Sequence, residues 1–218
     1  MERLADSIAT RISLELNLDK DNKEVIAYGT FGLLQILFSI GLVFFFGWIF
    51  NVAFEALIIS FTGAVLRKYS GGSHASSPGI CTFIGTTVCV LPAVLMYFLI
   101  GLYQNTVIVI IFGIIIFIWS YFELYKVAPV DNVKKPIKTE HKRKLMKKNS
   151  MIVLSLYLTI VTFCIILYVN TGEKKFLVYS TCLYAGIIWQ IFTLTKQGHL
   201  IMNKIDAFLS NSLFNVRR

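Results

Sequence analysis

Residues 28–50 read YGTFGLLQILFSIGLVFFFGWIF, an uninterrupted run without a charged side chain. An α-helix rises about 1.5 Å per residue, so a run of this length crosses the roughly 30 Å hydrocarbon core of a bilayer. Five more apolar runs follow, at about Val52–Leu66, Thr82–Tyr103, Thr106–Leu124, Met151–Val169 and Phe176–Thr195. Composition agrees: 56% of the 218 residues are hydrophobic and 15% are charged, and mean hydropathy is +0.69. A soluble globule of this size needs more polar residues than that to cover its surface. Disorder, a collagen repeat and a coiled coil are excluded as well. Four cysteines, with Cys164 and Cys182 inside apolar runs, do not make an extracellular disulfide framework.

The second run is short and holds Glu55, so topology decides whether it spans. With six spans, the N-terminus, the 67–81 loop, the 125–150 loop and the tail share one side. They carry 19 of the 21 Lys and Arg, and only Lys174 and Lys175 lie opposite. The positive-inside bias puts the rich side in the cytoplasm. Without the second span, the basic 125–150 loop would lie across the membrane from the basic N-terminus. The net charge of +9 thus sits between apolar runs and follows topology, and no nucleic-acid partner is expected. Trp48, Tyr103, Trp119, Tyr121 and Tyr125 are expected at the interfaces.

The first 24 residues carry ten charges and no apolar core, so no signal peptide is expected there. Leu4, Ala5, Ile8, Ala9, Ile12 and Leu16 recur at helical spacing, which predicts a helix lying in the inner interface. The tail repeats the pattern with Ile201, Ile205, Phe208 and Leu209. The expected fold is therefore an all-α polytopic membrane protein, one integral membrane domain over 1–218. Residues 1–24 form the interfacial helix, 28–195 the six-span core and 196–218 a cytoplasmic amphipathic tail. No internal repeat is visible, which gives no support to an inverted-repeat transporter.

Chemistry concentrates in residues 67–81, RKYSGGSHASSPGIC. Ser at an N-cap with Pro at the first helical position predicts a helix start at Ser77-Pro78. Cys81 then sits in the first turn, where the helix dipole and unpaired N–H groups favour a thiolate and could hold an oxyanion. Gly71 and Gly72 let the chain fold back so that His74 reaches the sulfur, an arrangement that suits a Cys-His nucleophilic pair. The bland alternative is that Cys81 packs and His74 is solvated, and these residues alone leave both readings open. A zinc site needs three or four ligands where two are present. Cys89, Cys164 and Cys182 are expected to pack, His141 to lie on a solvated face, and His199 to follow the sixth span. Glu55 is an intramembrane carboxylate and so a candidate by position, yet it is close enough to the interface to be wet. The nine Lys and Arg from Lys126 to Lys148 serve topology and anionic lipid, and can also dock an acidic substrate.

These stretches resemble the accessory gene regulator protein B family, AgrB, bacterial membrane cysteine endopeptidases that mature quorum-sensing peptides. The resemblance rests on Arg67, the Gly71-Gly72-x-His74-Ala75 run and Cys81 at the family spacing. It extends to Ala128-Pro129-Val130-Asp131 and Lys135-Pro136-Ile137. Where family members often have Ser one turn after the Cys, this chain has Gly85, with Thr82 and Thr86 nearby. The resemblance implies catalytic His74 and Cys81, with Arg67, Gly71 and Gly72 in the supporting loop and no cofactor or metal. It implies a short AgrD-type precursor as substrate, with an amphipathic helix, a central signal and an acidic tail. Lys142, Arg143, Lys144, Lys147 and Lys148 would dock that tail. Cleavage through an acyl-enzyme thioester would precede closure of a thiolactone or lactone ring. The lipid bilayer is the other expected partner, with a homodimer as a possible assembly and both termini in the cytoplasm of the bacterial cell membrane. The alternative class is a peptide transporter or membrane scaffold that does not cut.

Overall fold

Glycine, proline and asparagine place the breaks between helices. Gly71, at φ +73°, ends α3 (Ala53–Ser70). Gly172, at φ +70° in the left-handed region, ends α6 (Glu140–Thr171), the conformation glycine adopts without a Cβ penalty. Pro78 opens α4 (Pro78–Leu102). Asn105 caps α5 (Thr106–Val127), its side chain accepting from the N–H groups of Val107 and Ile108. The remaining helices are α1 (Glu2–Glu15), α2 (Lys20–Ile49), α7 (Lys174–Phe192) and α8 (Lys196–Ser212). The computed structural model describes residues 1–73, 75–102, 105–130 and 139–212, and the described residues form an all-helical chain with no strand. His74, Tyr103, Asp131, Lys135, Pro136 and Ile137, all singled out by the sequence, lie outside the described residues.

Among the described residues, five helices are long and apolar enough to cross a membrane: α2, α4, α5, α6 and α7. The expected second span, α3, is not among them, because its 18 residues include Glu55, Arg67 and Lys68. Those charges stand at its two ends. Glu55 lies in the first turn and Arg67 and Lys68 in the last, where each sign is favoured by the helix dipole. A second difference is at α6. It begins at Glu140, so residues 140–150, expected in a loop, continue the fifth span as helix.

The chain divides into two compact units, residues 1–42 and 43–218. In the first, α1 buries Ala5, Ala9 and Ser13, one helical stripe, while Leu4 and Leu16 stay exposed. Lys23 pairs with Asp6 at 3.2 Å.

The second unit is built round α7, which packs on α3, α4, α5 and α6. Lipid tails are as apolar as leucine side chains, so helices in a membrane associate through close packing, and small residues permit it. Gly186 of α7 meets α3 so closely that a Cβ there would lie 2.8 Å from Thr62 Cβ. The Tyr157 hydroxyl of α6 donates to the Thr62 carbonyl at 2.9 Å. Gly113 of α5 leaves room for the Tyr184 hydroxyl. Between α4, α5 and α7 lies an apolar cavity of about 800 Å³, lined among others by Pro92, Phe112, Trp119, Tyr184 and Trp189. Trp119 lines this cavity, and the Tyr121 hydroxyl shares a 2.7 Å hydrogen bond with Ser155.

Candidate active site

Cys81 owes its place to the three residues before Gly79. The Ser77 hydroxyl accepts from the Ile80 N–H at 3.3 Å, the cap expected of serine before proline. The Cys81 N–H donates to the Ser77 carbonyl at 3.0 Å and closes the first helical bond. Cys81 is exposed, whereas Cys89, Cys164 and Cys182 are buried in α4, α6 and α7. Pro78 has no N–H, and the Ile80 and Cys81 N–H groups both donate within the helix start.

Arg67 faces this start from the last turn of α3. Its guanidinium donates to the Ser73 carbonyl. Burial pushes its pKa below the ordinary arginine value, and Cys81 acts in the opposite direction. The thiol therefore lies within Coulombic reach of a fixed, partly buried positive charge.

Gly71 and Gly72 are needed for close approach as well as for turning. Gly71 pairs with Val130 in an isolated parallel bridge, and the Val130 N–H donates to the Ser70 carbonyl at 2.9 Å. The two stretches that carry the family resemblance thus touch. Gly72, at φ +139°, lies where a Cβ would come within 2.9 Å of Thr193 Oγ1 and 3.4 Å of Gln190 Nε2. The structure brings together Arg67, Gly71, Gly72 and Cys81. His74 falls between described neighbours, Ser73 and Ala75.

The five cations singled out for docking lie on the first turns of α6. Lys144 pairs with Glu140 at 2.9 Å, and the Lys147 ammonium stands 4.2 Å from the centre of the Tyr125 ring. Lys142, Arg143 and Lys148 are exposed. His199 follows the sixth span and lies in the first turn of α8.

Three residues that touch the loop were missed by the sequence: Gln190, Thr193 and Asp206. Gln190 carried a usable signal, a polar side chain inside an apolar run. Asp206 carried none, because an acidic residue on an amphipathic tail is unremarkable.

The family model described as accessory gene regulator B matches residues 5–194. An AgrB-like protein of Clostridium perfringens strain SM101 is 42% identical over 213 residues, 98% of this chain and all of the relative. AgrB-like protein 2 of Clostridium perfringens strain 13 is also 42% identical, with the same coverage. Both are named for their likeness to AgrB. No solved structure matches.

Proposed function

Because the chain belongs to the accessory gene regulator B family, we propose that it is a membrane cysteine endopeptidase that cuts an AgrD-type precursor and helps close the signal ring. Family membership supports a role in accessory gene regulator peptide processing. The observation that carries the finer reading is an exposed Cys81 in the first turn of a capped helix, facing the Arg67 guanidinium.

The chemistry runs in two halves. Cys81 Sγ attacks the carbonyl that joins signal to tail, and His74 takes the thiol proton as base. The tetrahedral oxyanion is held by the charge of Arg67. The C–N bond then breaks, His74 gives its proton to the leaving amine, and the acidic tail departs. A Cys or Ser of the signal attacks the remaining thioester and displaces Cys81, which gives a thiolactone or a lactone. Thioester exchange is nearly balanced while hydrolysis is strongly downhill, so the site has to limit water.

In this reading α3 completes six spans and both termini are cytoplasmic. At 18 residues α3 is about 27 Å long, near the hydrocarbon thickness, with its charges at its ends.

The test is cleavage of a synthetic precursor by the full chain in proteoliposomes. Retention of intact precursor under all conditions would overturn the enzyme reading in favour of a transporter or scaffold. His74→Ala is expected to abolish cleavage and to slow alkylation of Cys81 near neutral pH, since an imidazolium beside a thiol favours the thiolate. An unchanged alkylation profile would show that the two side chains do not meet.

Neutralising Lys142, Arg143, Lys144, Lys147 and Lys148 together should raise the precursor KM about tenfold and change kcat less, because these charges bind the tail away from the reacting carbonyl. The wild-type KM should also climb with added salt, and that of the neutralised variant should climb less. Identical salt responses would reduce the cluster to a topology signal.

A further inference from the structure

The segment that carries His74 is anchored at both ends by residues from the last part of the chain. At its start, the Gln190 side-chain amide donates to Ser70 Oγ at 3.0 Å and to the Gly71 carbonyl at 2.7 Å. Gln190 is 1% exposed, and an amide buried on an apolar helix is costly unless it is hydrogen-bonded. Beside it the Ser73 N–H donates to the Thr193 carbonyl at 3.4 Å. At the far end, Asp206 Oδ1 accepts from both the N–H and the hydroxyl of Ser76, each at 3.0 Å. That carboxylate is held in place by α8, whose Met202 and Leu209 pack with Ile80 and Ile84 of α4.

One anchor therefore fixes the chain three residues before His74, and the other two residues after it. A base has to stand within hydrogen-bond reach of its nucleophile, and displacement by about 1 Å costs on the order of a hundredfold. Neither Gln190 nor Asp206 needs to touch substrate to matter. We infer that Gln190 and Asp206 are positioning residues that fix the two ends of the loop on which His74 is carried to its work with Cys81. This inference rests on the peptidase reading above.

The test uses the full chain in proteoliposomes with the same synthetic precursor, together with iodoacetamide alkylation of Cys81 across pH. Asp206→Ala is expected to lower kcat about tenfold with little change in KM, in line with a lost tether and unaltered substrate contacts. Asp206→Asn keeps an acceptor oxygen and should restore most of the rate. Gln190→Leu should lower kcat further, about thirtyfold, since it loosens two bonds at once. Both Asp206→Ala and Gln190→Leu should move the alkylation profile in the direction that His74→Ala moves it. Added to His74→Ala, Asp206→Ala should move it no further, which a merely structural role would not produce.

Wild-type kcat in Asp206→Ala, equal damage from Asn and Ala, or an alkylation shift additive with that of His74→Ala would overturn the inference. If Gln190→Leu fails to reach the membrane, the Asp206 pair carries the test. If His74→Ala itself leaves cleavage and alkylation unchanged, the catalytic pair fails. If His74→Ala acts and Asp206→Ala does not, this inference alone fails.

Discussion

Cys81→Ser will insert into the membrane at wild-type levels and lose precursor cleavage by more than about 10³-fold, the scale on which removal of a nucleophile acts. Cys81 lies in the first turn of a capped helix, within Coulombic reach of the Arg67 guanidinium. An alcohol holds its proton far more tightly than a thiol and is the weaker nucleophile at that position. Quantitative precursor-to-product conversion in proteoliposomes, normalised to inserted protein, measures the loss. Cys89→Ala, Cys164→Ala and Cys182→Ala should each keep activity within about threefold, since these thiols are buried in the helices away from the loop. Cleavage at a tenth of the wild-type rate by Cys81→Ser would remove the cysteine from the chemistry.

Gly71→Ala should cost about a hundredfold in cleavage while insertion is kept. Two independent effects act at this position. Its backbone, φ +73° and ψ −152°, is in a region that is essentially glycine's own, and another residue there costs about 1–3 kcal/mol. A Cβ would also press on the Val130 carbonyl oxygen and lie 3.1 Å from its carbon, so backbone has to move. The movement would pull the Gly71 carbonyl off Gln190 and shift His74 with it. Gly41→Ala is the control, because a Cβ there meets nothing within 4 Å. Near-wild-type kcat in Gly71→Ala would show that the bridge to Val130 does not set the geometry of the site.

Much of this architecture could be read from residue order. Uncharged runs gave the long helices, Ser77-Pro78 gave the start of α4, and Gly71 was read as a turn, though the run expected to end at about Leu66 continues as α3 to Ser70. These are local effects: a cap, a missing donor, a permitted φ. The sequence failed where the cause was not local. Residues 140–150 look like a solvated basic loop, yet charged residues make good helix when they stay exposed, and the Glu140–Lys144 pair supports the first turn. Hydropathy detects the membrane and not the end of a helix, so the early start of α6 left no trace in it. The anchors of the loop were least legible. Gln190 and Asp206 lie more than a hundred residues from Ser70 and Ser76, and spacing along a chain says nothing about pairs that far apart.

The central place of α7 has a consequence for how the enzyme comes into being. A ribosome delivers the chain N-terminus first, so Cys81 enters the membrane long before residue 174, where α7 begins. Until then α3 lacks the neighbour that Gly186 was shaped to admit, and the loop after it has nothing from Gln190, Thr193 or Asp206 to rest on. A nascent or prematurely stopped chain would carry the nucleophile without the scaffold that arms it. On the peptidase reading, a chain still being made therefore stays inactive until α7 and α8 have followed.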